Sequence, residues 1–142
     1  GRARISLYRN YAECFALLGR NADVLKILQS LTGARGGKAV GDLCWVIGLR
    51  CARRCEALID YYPNVRLSPE EISGAEALLT RALAEDSGEA VVGREMLARL
   101  AIAGGRRDDA VKHLRAALAA TPTAEAAGRI KATLKALGAP AE

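Results

Sequence analysis

An all-α fold of antiparallel helix pairs is what this sequence predicts, and three observations carry the prediction. Hydrophobic residues make up 51% of the 142 residues and aromatics only 4%, so the core must be built from Ala, Leu, Ile and Val. Ala and Leu enter helices at little cost, while strand-forming residues are sparse. Apolar residues recur at spacings of three and four, which lines them along one helical face. Turn signals divide the chain into about seven such stretches, and helices joined by short loops fold back on their predecessors.

The first helix is expected over about residues 3–18, with Ile5, Tyr8, Tyr11, Ala12, Phe15 and Leu18 on one side and Gly19 as its stop. A second follows over about 22–31, carrying Val24, Leu25, Ile27, Leu28 and Leu31. The glycine-rich stretch 33–41 reads as a flexible connection. A long third helix then starts near Asp42 and runs through Cys44, Trp45, Ile47, Cys51, Cys55, Leu58 and Ile59 to Tyr62-Pro63. Ser68-Pro69-Glu70-Glu71 combines an N-cap, a proline at the first helical position and a capping-box glutamate. The fourth helix it opens should last to about Asp86, using Ile72, Ala75, Leu78, Leu79, Ala82 and Leu83. A fifth is expected over about 89–103, closed by Gly104-Gly105, and a sixth from near Asp108 to Ala120. After Thr121-Pro122-Thr123, a seventh runs from about Ala124 to Leu137.

Charge is unevenly laid out. The formal net charge of +5 divides into +6 over residues 1–67, −5 over 68–90 and +4 over 91–142. A nucleic-acid binder would show one continuous basic stripe with stacking aromatics, yet Tyr8, Tyr11, Phe15, Trp45, Tyr61 and Tyr62 all lie in the first half. No apolar run approaches the roughly 18 residues needed to span a bilayer, and the longest, around Leu43 to Leu49, is ended by Arg50. Membrane insertion by this segment is not expected. A soluble, cytoplasmic setting is favoured over a periplasmic one. Gly1 is not an initiator, so the sequence reads as a trimmed segment, and anything upstream lies outside it.

Residues 91–124 resemble a tetratricopeptide repeat, a 34-residue helix-turn-helix unit, through Leu97, Ala98, Gly105, Ala110, Leu114, Ala117, Leu118 and Pro122. The three alanines are small where helices cross, the leucines fill the space between them, Gly105 allows the tight turn and Pro122 prevents continuation. Residues 5–32 look like a looser copy, with Val24 and Leu31 in place of small residues. Residues 75–83 resemble the second helix of another copy, whose partner is the long helix over 42–62. One domain over 1–142 is therefore expected, with units at about 5–32, 42–86 (irregular) and 91–122 and a capping helix over 124–138.

The resemblance implies a right-handed superhelical stack of αα pairs whose concave side, lined by the first helix of each pair, holds a peptide or helix of another protein. Ser6, Arg9, Glu13 and Ala16 would face that groove from the first unit, and Val92, Glu95, Arg99 and Ile102 from the third. Glu13 and Arg99 stand where the family's chaperone-tail clamp uses Asn, so capture of such tails is not expected.

Other constellations have plainer readings. Cys44, Cys51 and Cys55 share one helical face, but no C-x-x-C or Cys-His pairing accompanies them, so buried apolar thiols are expected and no metal. Arg50, Arg53 and Arg54 form the densest basic cluster. It is either the solvated face of an amphipathic helix or a patch for an acidic partner beside a thiol of lowered pKa. The loop 32–39 lacks the hydroxyl and the preceding strand of a phosphate-binding loop and reads as a linker. His113 is the only histidine and is expected at the surface. With no nucleophile or second histidine to join it, no catalytic set can be assembled and no cofactor is implied.

The sequence thus predicts a non-catalytic protein-protein interaction scaffold. Two alternatives stay open: an accessory helical domain of a larger enzyme, and a self-associating repeat whose first helix docks on a neighbour through Ile5, Tyr8 and Phe15.

Overall fold

A computed structural model describes residues 2–33, 36–61, 64 and 67–139 and, within them, every side chain but those of 2–5, 59 and 61. The described residues form seven α-helices and no strand: α1 (Arg2–Leu17), α2 (Asn21–Thr32), α3 (Lys38–Tyr61), α4 (Pro69–Ala84), α5 (Ala90–Ala103), α6 (Arg107–Ala119) and α7 (Ala124–Ala136). The stop expected at Tyr62-Pro63 and the core positions expected for Ile5 and Ile59 fall outside what is described. Contacts divide the chain into two compact units, Gly1–Gly88 and Glu89–Glu142.

The first unit contains α1 to α4. Gly19 has a φ of +72°, a left-handed turn that a side chain would strain, and it separates α1 from α2. Ser68 caps α4 as its sequence demands: its hydroxyl accepts from the Glu71 N–H at 3.2 Å, while the Glu71 carboxylate accepts from the Ser68 N–H at 3.2 Å. Such a cap stabilises a helix by about 1 kcal/mol. Fully buried Val24, Leu28, Val40, Cys44, Cys51 and Leu79 build the core together with Ala12, Ala16, Ala75 and Ala82.

Helices approach closely where glycine stands. A Cβ on Gly48 of α3 would sit 3.1 Å from the Cβ of Leu78 on α4. A Cβ on Gly74 of α4 would collide with the Ala16 carbonyl of α1. In the first unit, α1 therefore meets α4 as well as α3.

The third helix begins earlier than its composition implies. Lys38 to Gly41 are helical rather than part of a flexible connection, and the Gly41 N–H donates to the Gly37 carbonyl at 3.0 Å. Val40 is wholly buried, and Gly41 lies against Glu85 and Ser87, where no larger residue fits. Gly41 is thus a packing position inside a helix. The Ser87 hydroxyl, itself buried, donates to the Lys38 carbonyl at 3.4 Å and holds this extra turn. At 24 residues, α3 is about 36 Å long.

The second unit contains α5 to α7. Ala98, Ala101, Ala110, Val111, Leu114, Ala117, Ile130 and Leu134 form one buried cluster. Gly105 turns the chain with a φ of +73° between α5 and α6. Asp108 and Asp109 occupy the first turn of α6, where carboxylates favour a helix N-terminus. The Thr123 hydroxyl caps α7 by accepting from the Ala126 N–H at 3.2 Å.

Candidate functional site

In the first unit, α1 and α3 bring together two groups of residues that are far apart in sequence. Glu13 is only 5% exposed, and its carboxylate meets Arg54 at 3.1 Å and Arg50 at 3.5 Å. Both guanidinium groups are about half exposed, so they cover the carboxylate and face solvent themselves. Arg9, also exposed, lies one turn before Glu13 on α1. The basic cluster of α3 and the first helix of the chain therefore form one face. Arg53 is exposed on the same helix. Ala16 takes no place at the surface: it is fully buried, with its carbonyl against Gly74.

The second unit repeats the device on α5 and α7. Glu95 is 8% exposed and accepts two hydrogen bonds from Arg129, Nη2 to Oε1 at 2.8 Å and Nε to Oε2 at 3.0 Å. Arg99, one turn along α5, stands 4.0 Å from the same carboxylate. The hydrogen bonds from Arg129 hold the Glu95 carboxyl below its ordinary pKa, against a smaller upward pull from burial. Glu95 and Arg129 are 34 residues apart, one repeat length, so they occupy the same position on successive first helices. Glu13 and Arg54 are separated by 41, and the seven extra residues measure the irregularity of the middle of the chain. Ile102 is 42% exposed near the end of α5, and Val92 is partly exposed near its start.

The cysteines of α3 carry no reactive thiolate. Burial pushes Cys51 up to about 12 and Cys44 and Cys55 to about 11, and for Cys51 the Glu13 carboxylate adds to the rise. The neighbouring arginines pull the other way and do not offset burial, which removes the alternative of a lowered thiol pKa beside Arg50, Arg53 and Arg54. Among the described residues, no three of His, Cys, Asp and Glu gather as a metal ion would require. His113 is partly buried rather than at the open surface, with Nδ1 3.4 Å from Arg94 Nη1. A shallow depression that the sequence did not single out lies among Arg107, Asp108, Val111, Lys112 and Arg115 on α6 and Gly138 and Ala139 after α7. Its only sequence signal was the run of basic residues on α6.

Antiparallel pairs of short helices, with small residues buried at their crossings and acid-arginine links between first helices, define a helical repeat protein. Residues 67–134, covering α4 to nearly the end of α7, match the family model of the tetratricopeptide repeat, which supports a tetratricopeptide-like repeat over this span. The matched span includes the Ala98, Ala110, Ala117 and Pro122 positions on which the resemblance rested. The chain shows no match to a curated protein or to a solved structure. No helix among the described residues is long and apolar enough to cross a membrane.

Proposed function

We propose that the chain is a protein-binding scaffold whose first-helix faces hold a segment of another protein. Tetratricopeptide repeats are typically non-catalytic scaffolds, and the family match supports that broad reading. The observation that carries the finer one is the charge around each buried carboxylate. Glu13 is shared by Arg50 and Arg54, and Glu95 by Arg129 and Arg99. Around Glu13, one negative charge against two positive ones leaves the first-unit face with a surplus positive charge at half-exposed guanidinium groups, which are suited to bidentate recognition of carboxylates, while on the second unit Glu125 also acts on Arg129. Arg9 and Arg53 extend the surplus on the first unit, while Val92 and Ile102 offer apolar surface on the second.

The partner segment is therefore acidic, with an apolar anchor. Glu13 and Glu95 act in this scheme by orienting arginines. Affinity capture from the source cell, repeated with Arg9→Glu and Arg99→Glu, tests it: partner recovery should fall sharply with both changes. Recovery of the same partners at unchanged levels would sink this assignment.

A further inference from the structure

The face built on Glu13 carries more positive charge than one partner carboxylate can neutralise. Arg54 Nη2 stands 3.1 Å from Glu13 Oε1 and Arg50 Nη1 3.5 Å from Oε2, so the two oxygens of one buried carboxylate hold two guanidinium groups side by side. Each guanidinium offers five N–H donors, only one nitrogen of each meets Glu13, and the two side chains are 48% and 57% exposed. Among the described residues, no second carboxylate pairs with either. Arg9 and Arg53, both exposed, flank the pair, since they lie one turn from Glu13 on α1 and one turn from Arg50 on α3. The next carboxylate of α3 is the partly buried Glu56, and the next on the side of Arg53 is Asp60, about 10 Å along the helix. Arg9, Arg50, Arg53 and Arg54 against Glu13 and Glu56 therefore leave two positive charges. Val46, 45% exposed one turn before Arg50, adds apolar surface beside them.

We infer, building on the partner-binding reading of this face, that the group it holds is a phosphorylated side chain of the partner segment. A phosphomonoester carries a charge of about −2 near neutral pH and presents three acceptor oxygens, which matches both the surplus charge and two adjacent guanidinium forks. A partner glutamate brings one charge and two oxygens, and it leaves half of the surplus unanswered. Arginines fixed by Glu13 are ordered before the ligand arrives, so less side-chain freedom is lost on binding. Nucleic acid also offers phosphate, but its single strands are held by aromatic side chains on which the bases stack. The aromatics near this face are turned to other uses. Tyr8 and Phe15, expected to dock on a neighbour, are partly buried, and Arg20 lies 4.8 Å from the Phe15 ring centroid. Trp45 is partly buried against Gly88. Exposed Tyr11 stands about 160° round the helix from Arg9 and Glu13.

Three pools of labelled peptides test this, each with degenerate flanks around a fixed central phosphoserine, glutamate or serine, passed over the immobilised chain. The phosphoserine pool should be retained roughly tenfold more than the glutamate pool, the step that one added charge-assisted hydrogen bond supplies. Arg50→Lys keeps a charge beside Glu13 but removes the planar fork, so it should bring those two pools level while helical circular dichroism is unchanged. Arg53→Gln, at an exposed side chain away from Glu13, should also lower retention of the phosphoserine pool, and it serves as the second variant if a change at Arg50 disturbs the fold. Lys112→Gln removes the same charge from an exposed site on α6 and should leave retention as it was. Equal retention of the phosphoserine and glutamate pools overturns the phosphate assignment and leaves the acidic-partner reading standing. Retention of neither above the serine pool overturns both. A loss with Lys112→Gln as large as with Arg53→Gln also overturns the assignment, since net charge alone would then govern binding. So does displacement of the phosphoserine pool, phosphate for phosphate, by inorganic phosphate or by a single-stranded oligonucleotide, which would make a free ion or a nucleic acid the occupant.

Discussion

Cys44, Cys51 and Cys55 are held by the fold as small hydrophobes, and their chemistry follows from burial. A thiol reagent added to the native chain near neutral pH should modify Cys14 alone, with the other three reacting only on unfolding; modification of all four in the folded state would contradict their burial. The same raised pKa values set an alkaline limit. An unfolded thiol ionises near 9.0, whereas Cys51 in the folded chain ionises near 12 and the other two near 11. The unfolded state therefore loses protons first. The contribution of these thiols to stability should be complete below about pH 9 and should decline as pH rises toward 11 and 12, as read from denaturant midpoints. Glu95 has the opposite sign. Its carboxyl is depressed below the ordinary 4.5, so its ion pair stabilises the fold above that pH and is lost as pH falls through the lower folded value. Arg129→Gln should lower the unfolding temperature near neutrality, and the gap from the unchanged chain should narrow in acid. A gap that stays constant with pH would show that Arg129 acts through packing alone.

Glycines separate what sequence reading can see in an element from what it cannot. The capping box at Ser68 and Glu71 was legible because all of its atoms lie within one turn, and the turn at Gly105 because a left-handed residue has few substitutes. The early start of α3 was not legible. Gly37 and Gly41 read as linker until Glu85 and Ser87, far along the chain, close over the latter. The candidate site follows the same rule. Glu13 and the arginines of α3 could each be singled out, but their joining depends on α1 lying against α3, which no local pattern records. Two substitutions expose the contrast. Gly74→Ala forces a methyl group into the Ala16 carbonyl where α1 and α4 cross, and it should destabilise the first unit by about 3 kcal/mol. Gly128→Ala, on an exposed helical position of α7 with nothing within 4 Å, should stabilise the second unit by about 0.5 to 1 kcal/mol. Chemical denaturation of each variant checks both signs.

Over the whole molecule, the charge layout visible in the sequence acquires a structural meaning. The acidic stretch 68–90 includes α4 with Glu70, Glu71 and Glu76, whereas α1, α3, α5, α6 and α7 each carry more basic than acidic residues. The negative excess thus belongs to the second helix α4 and to none of the first helices. An acidic partner drawn to the first helices would be steered by that separation, and the attraction between exposed groups is screened over roughly 8 Å at physiological ionic strength. Partner capture should therefore weaken steeply as salt is raised. Neutralising a carboxylate of α4 should leave it unchanged, because that charge lies on a helix outside the proposed faces. Glu70→Gln is the suitable probe, since Glu70 is exposed and outside the capping box formed by Ser68 and Glu71. Capture measured over a salt series for the unchanged chain, for Glu70→Gln and for Arg50→Glu should give parallel curves for the first two and a collapse for the third. If Glu70→Gln weakens capture as much as Arg50→Glu does, the partner is read by overall charge and the first-helix faces have no special part in holding it.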